Sequence, residues 1–281
     1  MTEFLDAAAR YSFVQHALLA GVLASIACGV VGTYVVVRRI TYIAGGISHC
    51  VLGGIGAAVY FQQVHGWAWL TPLVGAIAAA LAAALIIGLV SLRAKQREDT
   101  VIGALWAIGM AVGVLFIAKT PGYAQDLMSY LFGNILMVAP ADLWLIAALD
   151  ALVVALGLAF YNQFLAVCFD EEFARVRGLR VEFYYLLLLG LTALTVVLLV
   201  TVVGIVLVIA LLTLPVAVAG HFARRLWQMM ALATVFSTIF TTLGLAISYK
   251  PDLPAGATVI VLAGAAYLGV LLASRAMRGR I

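Results

Sequence analysis

Apolar residues fall into nine long runs along the chain, each at least nineteen residues, and all but two neighbouring runs are parted by polar breaks. A helix needs about 20 apolar residues to cross the hydrocarbon of a bilayer. The pattern therefore predicts spans at about 13–37, 43–62, 70–92, 100–118, 141–160, 181–203, 204–222, 226–247 and 255–274. The stretch 181–222 contains no polar loop; its forty-two residues are long enough for two crossings, with Gly204 near the middle and Pro215 beyond it. A simple bend there would change the count by one. Between the fourth and fifth runs, 126–138 (DLMSYLFGNILMV) has thirteen mostly apolar residues, too few to cross, and is expected to pack at or just inside one face. The expected fold is all-α and polytopic, a single transmembrane domain over 1–281 with about nine helices.

Composition agrees: 66% of residues are hydrophobic, 10% are charged and the mean hydropathy is +1.18, which excludes a water-soluble globule. A pI near 9.0 raises nucleic acid as a partner, but the basic residues sit between apolar runs, with no basic stripe and interleaved aromatics. Placed on alternate loops starting with Arg38 and Arg39, thirteen of the sixteen Lys and Arg fall on one side; Arg10, Lys119 and Lys250 fall on the other. The positive-inside bias then puts the N-terminus outside and the C-terminus in the cytoplasm. Cys28, Cys50 and Cys168 form no CxxC pair and no zinc-knuckle spacing, so free thiols are expected. The segment MTEFLDAAARYSF has Glu3 and Asp6 ahead of Arg10, unlike a signal peptide's basic start, and reads as an amphipathic lead-in on the membrane.

Chemistry concentrates in 38–57, RRITYIAGGISHCVLGGIGA. As a helix it places Gly45, His49, Gly53 and Ala57 on one face, where small residues let a neighbouring helix come close. An imidazole there points into protein or a cavity, either as a hydrogen-bonded core residue or as a ligand on an ion route. Asp150 lies ~14 Å into the fifth span, near the midplane, where a carboxylate is costly unless paired, protonated or facing water. It is either a second pathway residue or a neutral acid bonded to a neighbouring helix. Cys50 points ~100° away from His49 and is a poor co-ligand. His16 and His65 are expected near the outer surface, His221 beside Arg224 and Arg225 at the inner edge, and Glu182 at a cytoplasmic helix start. Pro215 frees the carbonyl of Leu211 as an acceptor.

The longest predicted cytoplasmic loop, 162–180, reads NQFLAVCFDEEFARVRGLR. Asp170, Glu171 and Glu172 precede a short segment with Ala174 and Gly178 at its end and arginines near its close, as a helix dipole requires. It is either a capped surface helix or a docking helix for a cytoplasmic partner. No GxxxxGK[ST] is present and none of the three lysines follows a glycine, so the chain carries no P-loop for ATP. HExxH and GxSxG are absent too.

Several stretches together resemble the permease subunits of bacterial ATP-driven (ABC) importers of zinc, manganese and related divalent metals. They are RRITYIAGGISHCVLGG (38–54), EDTVIGALWAIGMAVGVLFI (98–117), DLMSYLFGNILMV (126–138), FDEEFARVRGL (169–179), VVGIVLVIALLTLPVAVA (202–219) and PAGATVIVL (254–262). The resemblance implies a fold like the cobalamin and siderophore importer permeases, a homodimer in the bacterial cytoplasmic membrane, two cytoplasmic ATPase subunits that use the ATP, and an extracytoplasmic metal-binding protein. It further implies that about 169–180 is the coupling helix, with Phe169, Asp170, Glu172, Ala174 and Gly178 in that role, and that His49 matches a metal-binding histidine. Family members often carry an aspartate four residues before that histidine; here the position is Gly45. Loss of the carboxylate tilts the expected cargo from manganese, which prefers oxygen ligands, toward zinc. The alternatives are a secondary metal transporter driven by an ion gradient, which calls for inverted repeats that are not found, and an intramembrane enzyme, for which one histidine and one deep aspartate are thin material.

Overall fold

The computed structural model describes residues 2–93, 98–121, 133, 135–251 and 253–278. Among them the regular structure is entirely helical. The helices are α1 (Thr2–Arg10), α2 (Ser12–Val37), α3 (Thr41–His65), α4 (Pro72–Arg93), α5 (Glu98–Lys119), α6 (Pro140–Ala159), α7 (Tyr161–Phe169), α8 (Glu171–Val176), α9 (Val181–Val203), α10 (Ile205–Phe222), α11 (Leu226–Tyr249) and α12 (Ala255–Arg278). Nine of these, α2–α6 and α9–α12, are long and apolar enough to cross a membrane, in the order the apolar runs predict. The 181–222 stretch is two helices: Gly204 adopts φ 81°, ψ 160°, a conformation essentially reserved for glycine, and breaks the chain between α9 and α10. Pro215 sits inside α10 without ending it.

Local chemistry sets the other boundaries. Pro72 opens α4, with the Thr71 hydroxyl accepting from the Val74 amide at 3.3 Å; Pro140 opens α6, with Asp142 accepting from the Ala139 amide at 3.1 Å. At the end of α3, Gly66 takes the left-handed conformation (φ 69°). The α2–α3 turn is tighter than its two arginines foretell. Arg39 is left-handed (φ 62°), the Ile40 amide bonds the Val35 carbonyl at 2.9 Å, and the Arg39 amide bonds the Val36 carbonyl at 3.1 Å. This is a Schellman closure with arginine where glycine is usual.

The two most buried spans, α2 and α3, form the heart of the bundle. Around α2 pack α6, α9, α10 and α11, and the Tyr34 hydroxyl donates to the Gly157 carbonyl of α6 at 2.8 Å. Around α3 pack α4 and α5, with α9 and α10 behind. The α3–α5 contact is glycine-lined: a Cβ added at Gly53 would lie 2.7 Å from the Gly109 carbonyl oxygen, and one at Gly56 would lie 2.6 Å from that of Gly113. Backbones meet directly there, as in lipid-embedded bundles where small residues replace the hydrophobic drive of water. The amphipathic α1 turns Phe4 and Ala7 inward, Phe4 edge-on to Tyr249. Of the short segment expected at 126–138, only Gly133 and 135–138 are described; Ile135 and Val138 are buried, and Ile135–Met137, a 3-10 turn, packs on α2. The remainder lies outside the described residues.

Candidate functional site

The small-residue face of α3 is turned onto α5. His49, 8% exposed, stacks on the Trp106 indole with ring centroids 4.3 Å apart and planes 21° from parallel. One turn away, a Cβ added at Gly45 would meet Cζ3 of the same indole at 2.9 Å. The indole thus occupies the space into which a side chain at position 45 would grow. On the other side of His49, Gly53 sits on the α5 backbone. Cys50 also faces α5, and its thiol donates to the Leu105 carbonyl at 3.3 Å, so it is already committed. The His49 Nδ1 is buried and has no hydrogen-bond partner among the described residues. A buried polar atom left unpaired costs about 1–3 kcal/mol, so its retention needs a reason.

Asp150 is also buried, 4% exposed, on the side of α6 near Cys28 of α2. It is not gathered with His49 into a metal-binding group among the described residues: α6 packs mainly on α2, α7 and α9, and α3 mainly on α4, α5, α9 and α10. No three His, Cys, Asp or Glu side chains gather into a metal site among the described residues. His65 is exposed within an aromatic group of Tyr60, Phe61 and Trp67; His221 is exposed with Nδ1 2.9 Å from the Ala217 carbonyl. His16 is half-buried in α2 and Glu182 is exposed at the start of α9. None of the four joins His49 in a group of three or more such side chains among the described residues.

The segment expected as one helix over about 169–180 is organised differently. Phe169 closes α7, Asp170 is the cap, and the helix proper, α8, spans only Glu171–Val176. The Asp170 carboxylate accepts from the Phe173 amide at 2.9 Å, and Gly178 reverses the chain at φ 79°. Ala174 is fully buried, while Phe169, Phe173 and Val176 are 67%, 53% and 88% exposed. Three large apolar side chains on the outside of a polar loop form a small face available to a partner. Glu172 is exposed beside it, and Glu171 is held inward by Arg38.

The family model described as the ABC 3 transport family matches residues 10–274. The chain belongs to the ABC 3 transport family. A Chlamydia trachomatis relative named "Probable metal transport system membrane protein" is 41% identical, with 92% of this chain and 88% of that protein aligned. The manganese transport system membrane protein MntC of Listeria monocytogenes is 36% identical, covering 92% of this chain and 90% of its own. The solved structure of PsaBC from Streptococcus pneumoniae in complex with Fab superposes with a TM-score of 0.84 at 32% identity, over 96% of this chain and 94% of that one.

Two residues with telling contacts escape a reading of the sequence. Trp106 looks like any aromatic in an apolar span; only its position one helix across from His49 gives it meaning. Arg38 reads as a topology signal, yet its guanidinium is engaged at three points. Nη1 donates to the Val167 carbonyl at 3.1 Å, Nη2 pairs with Glu171, and the group lies 5.5 Å above the Tyr185 ring. Beside it, burial pushes the Cys168 thiol up to about 12, with the Arg38 cation acting in the opposite direction, so this cysteine is neutral and unreactive at physiological pH.

Proposed function

We propose that this chain is the membrane permease of an ATP-driven divalent-metal importer, and that the ion passes His49. The unpartnered Nδ1 of His49 carries the reading: a buried nitrogen with no hydrogen-bond partner among the described residues, on a face of glycines, is a place where a passing ion can be met. A lone imidazole grips weakly, which suits a route that ions must leave as well as enter. The metal-related names of the relatives and the similarity to PsaBC support the same reading. Asp150, buried on α6 where that helix packs on α2, is a second pathway position, separate from the α3–α5 contact that holds His49.

The working unit is a homodimer, and the support lies in α5. That helix covers α3 on one side and exposes Ile108, Val112 and Leu115 on the other. A second copy on this surface would bring two His49–Trp106 pairs toward one axis. Two ATPase subunits bind at the cytoplasmic side on Phe169, Phe173 and Val176, with α8 as the coupling helix, and an extracytoplasmic metal-binding protein delivers cargo at the opposite face. The membrane is the bacterial cytoplasmic membrane, with the N-terminus outside and the C-terminus inside. For the cargo, an imidazole without a neighbouring carboxylate favours zinc, whereas the name of the Listeria relative favours manganese. Coexpression with a candidate ATPase, copurification, and ATP-driven uptake of each metal into proteoliposomes test the proposal. Uptake without any ATPase, driven by an ion gradient, would replace it with a secondary transporter.

A further inference from the structure

We infer that Arg38 is a positioning residue, the strut through which movement of the docking helix α8 reaches α3 and His49. The inference rests on α8 being the ATPase contact. Arg38 is the C-cap of α2, and a single left-handed residue, Arg39, separates it from Ile40 and the first turn of α3. The Schellman bonds that close this turn leave it little freedom. From that rigid corner the guanidinium reaches three elements at once: the Val167 carbonyl at the end of α7, Glu171 in the first turn of α8, and the Tyr185 face on α9. Tyr185 in turn donates to the Ser91 hydroxyl of α4 at 3.2 Å. His49 lies eight residues into α3, ~12 Å along the helix axis from Thr41.

The planar, multiply bonding guanidinium matters here. Arginine can hold a carboxylate, a carbonyl and an aromatic face in one orientation, which a lysine cannot. A surface ion pair alone would do little for stability, and this one is partly exposed, with side-chain exposures of 22% and 34%. Its value is directional: α8 cannot shift relative to α9 without drawing the α2–α3 corner with it. Removal of the strut should therefore leave folding and ATPase binding largely intact while severing hydrolysis from transport.

The test uses the permease–ATPase complex in proteoliposomes, measuring metal ions moved per ATP hydrolysed. For Arg38→Gln the expected result is at least a tenfold fall in that ratio, with wild-type copurification of the ATPase and an unchanged melting profile. Arg38→Lys, which keeps the charge but not the geometry, should fall in between. Glu171→Gln cuts the same link from the other end and should reproduce the loss, which keeps the test decisive if the Arg38 variant assembles poorly. Wild-type coupling in an assembled Glu171→Gln complex, or in Arg38→Gln, overturns the strut. Hydrogen exchange on the permease alone reads the link without any ATPase: Arg38→Gln should speed exchange together at 41–46 and 171–176 by tenfold or more. If exchange rises only at 171–176, α3 is not connected and the inference fails. If the wild-type chain copurifies with no ATPase while exchange rises at both ends, the link stands and the permease reading is what has failed.

Discussion

Returning a carboxylate to position 45 probes the site from both its steric and its chemical side. A Cβ there would stand 2.9 Å from Trp106 Cζ3 and 3.3 Å from Cη2, so Gly45→Asp requires the indole to move. Overpacking of this kind costs about 1–3 kcal/mol. Lost stacking on His49 adds about 0.5–1.5 kcal/mol, and an unpaired carboxylate inside a span adds roughly 2.5–3.5 kcal/mol. In metal-free buffer the variant should therefore be less stable than wild type by about 4 kcal/mol or more. Aspartate one turn from His49 would also complete a two-ligand grip, and metal at a hundredfold over its Kd should return about 2.7 kcal/mol. Gly45→Ala carries the steric cost alone and should gain nothing beyond wild type from metal. Gly45→Asp with Trp106→Ala should recover the overpacking cost. Thermal unfolding in detergent, with and without zinc or manganese, measures each quantity. A Gly45→Asp chain as stable as wild type without metal would refute the placement of Trp106. Equal metal stabilisation of the Ala and Asp variants would refute the shared grip.

Glycine contacts elsewhere make a matched pair. Gly53→Ala pushes a methyl toward the Gly109 backbone and should destabilise by about 1–3 kcal/mol, whereas Gly190→Ala, with nothing within 4 Å of its added carbon, should stabilise α9 by roughly 0.5–1 kcal/mol; unfolding scans of both variants decide it. Phe173→Glu with Val176→Glu should abolish ATPase copurification while leaving membrane insertion intact; retention of the ATPase would move the docking face off α8. Cys28, Cys50 and Cys168 are all buried, so the wild-type chain in intact cells should resist impermeant maleimides. In that silent background a cysteine at Ala255 should react from outside and one at Ala276 should not, and the reverse pattern would invert the orientation.

The spans were legible because a bilayer imposes one rule on every crossing, and all nine runs became helices. Even the unbroken 181–222 stretch resolved as two, since length demanded it and Gly204 supplied a conformation other residues avoid. The stripe of Gly45, His49 and Gly53 was legible for a related reason: helical period places them together, and only a packed face tolerates so little side chain. What faces the stripe was not legible. Periodicity orders residues within a helix and says nothing of which neighbour arrives, so Trp106 opposite Gly45 and Leu105 opposite Cys50 came only with the packing of α5. The candidate docking segment was legible as charged and capped, but its length was not: Phe169 belongs to α7, Asp170 only caps α8, and the helix already ends at Val176, ahead of the turn at Gly178. Arg38 shows the same limit: one charge serves topology and a three-way contact at once, and hydropathy registers only the first.

The central claim is that metal passes His49, and uptake by the His49→Ala variant tests it most directly. Radiolabelled zinc and manganese would be followed into proteoliposomes containing the permease–ATPase complex, with assembly yield measured on the same preparation. Uptake should fall to background with assembly, ATPase docking and binding-protein docking at wild-type levels, since the side chain removed makes a stacking contact and, among the described residues, no hydrogen bond at its buried nitrogen. Normal uptake by a fully assembled His49→Ala complex would contradict it, and would leave His49 as a core residue stacked on Trp106.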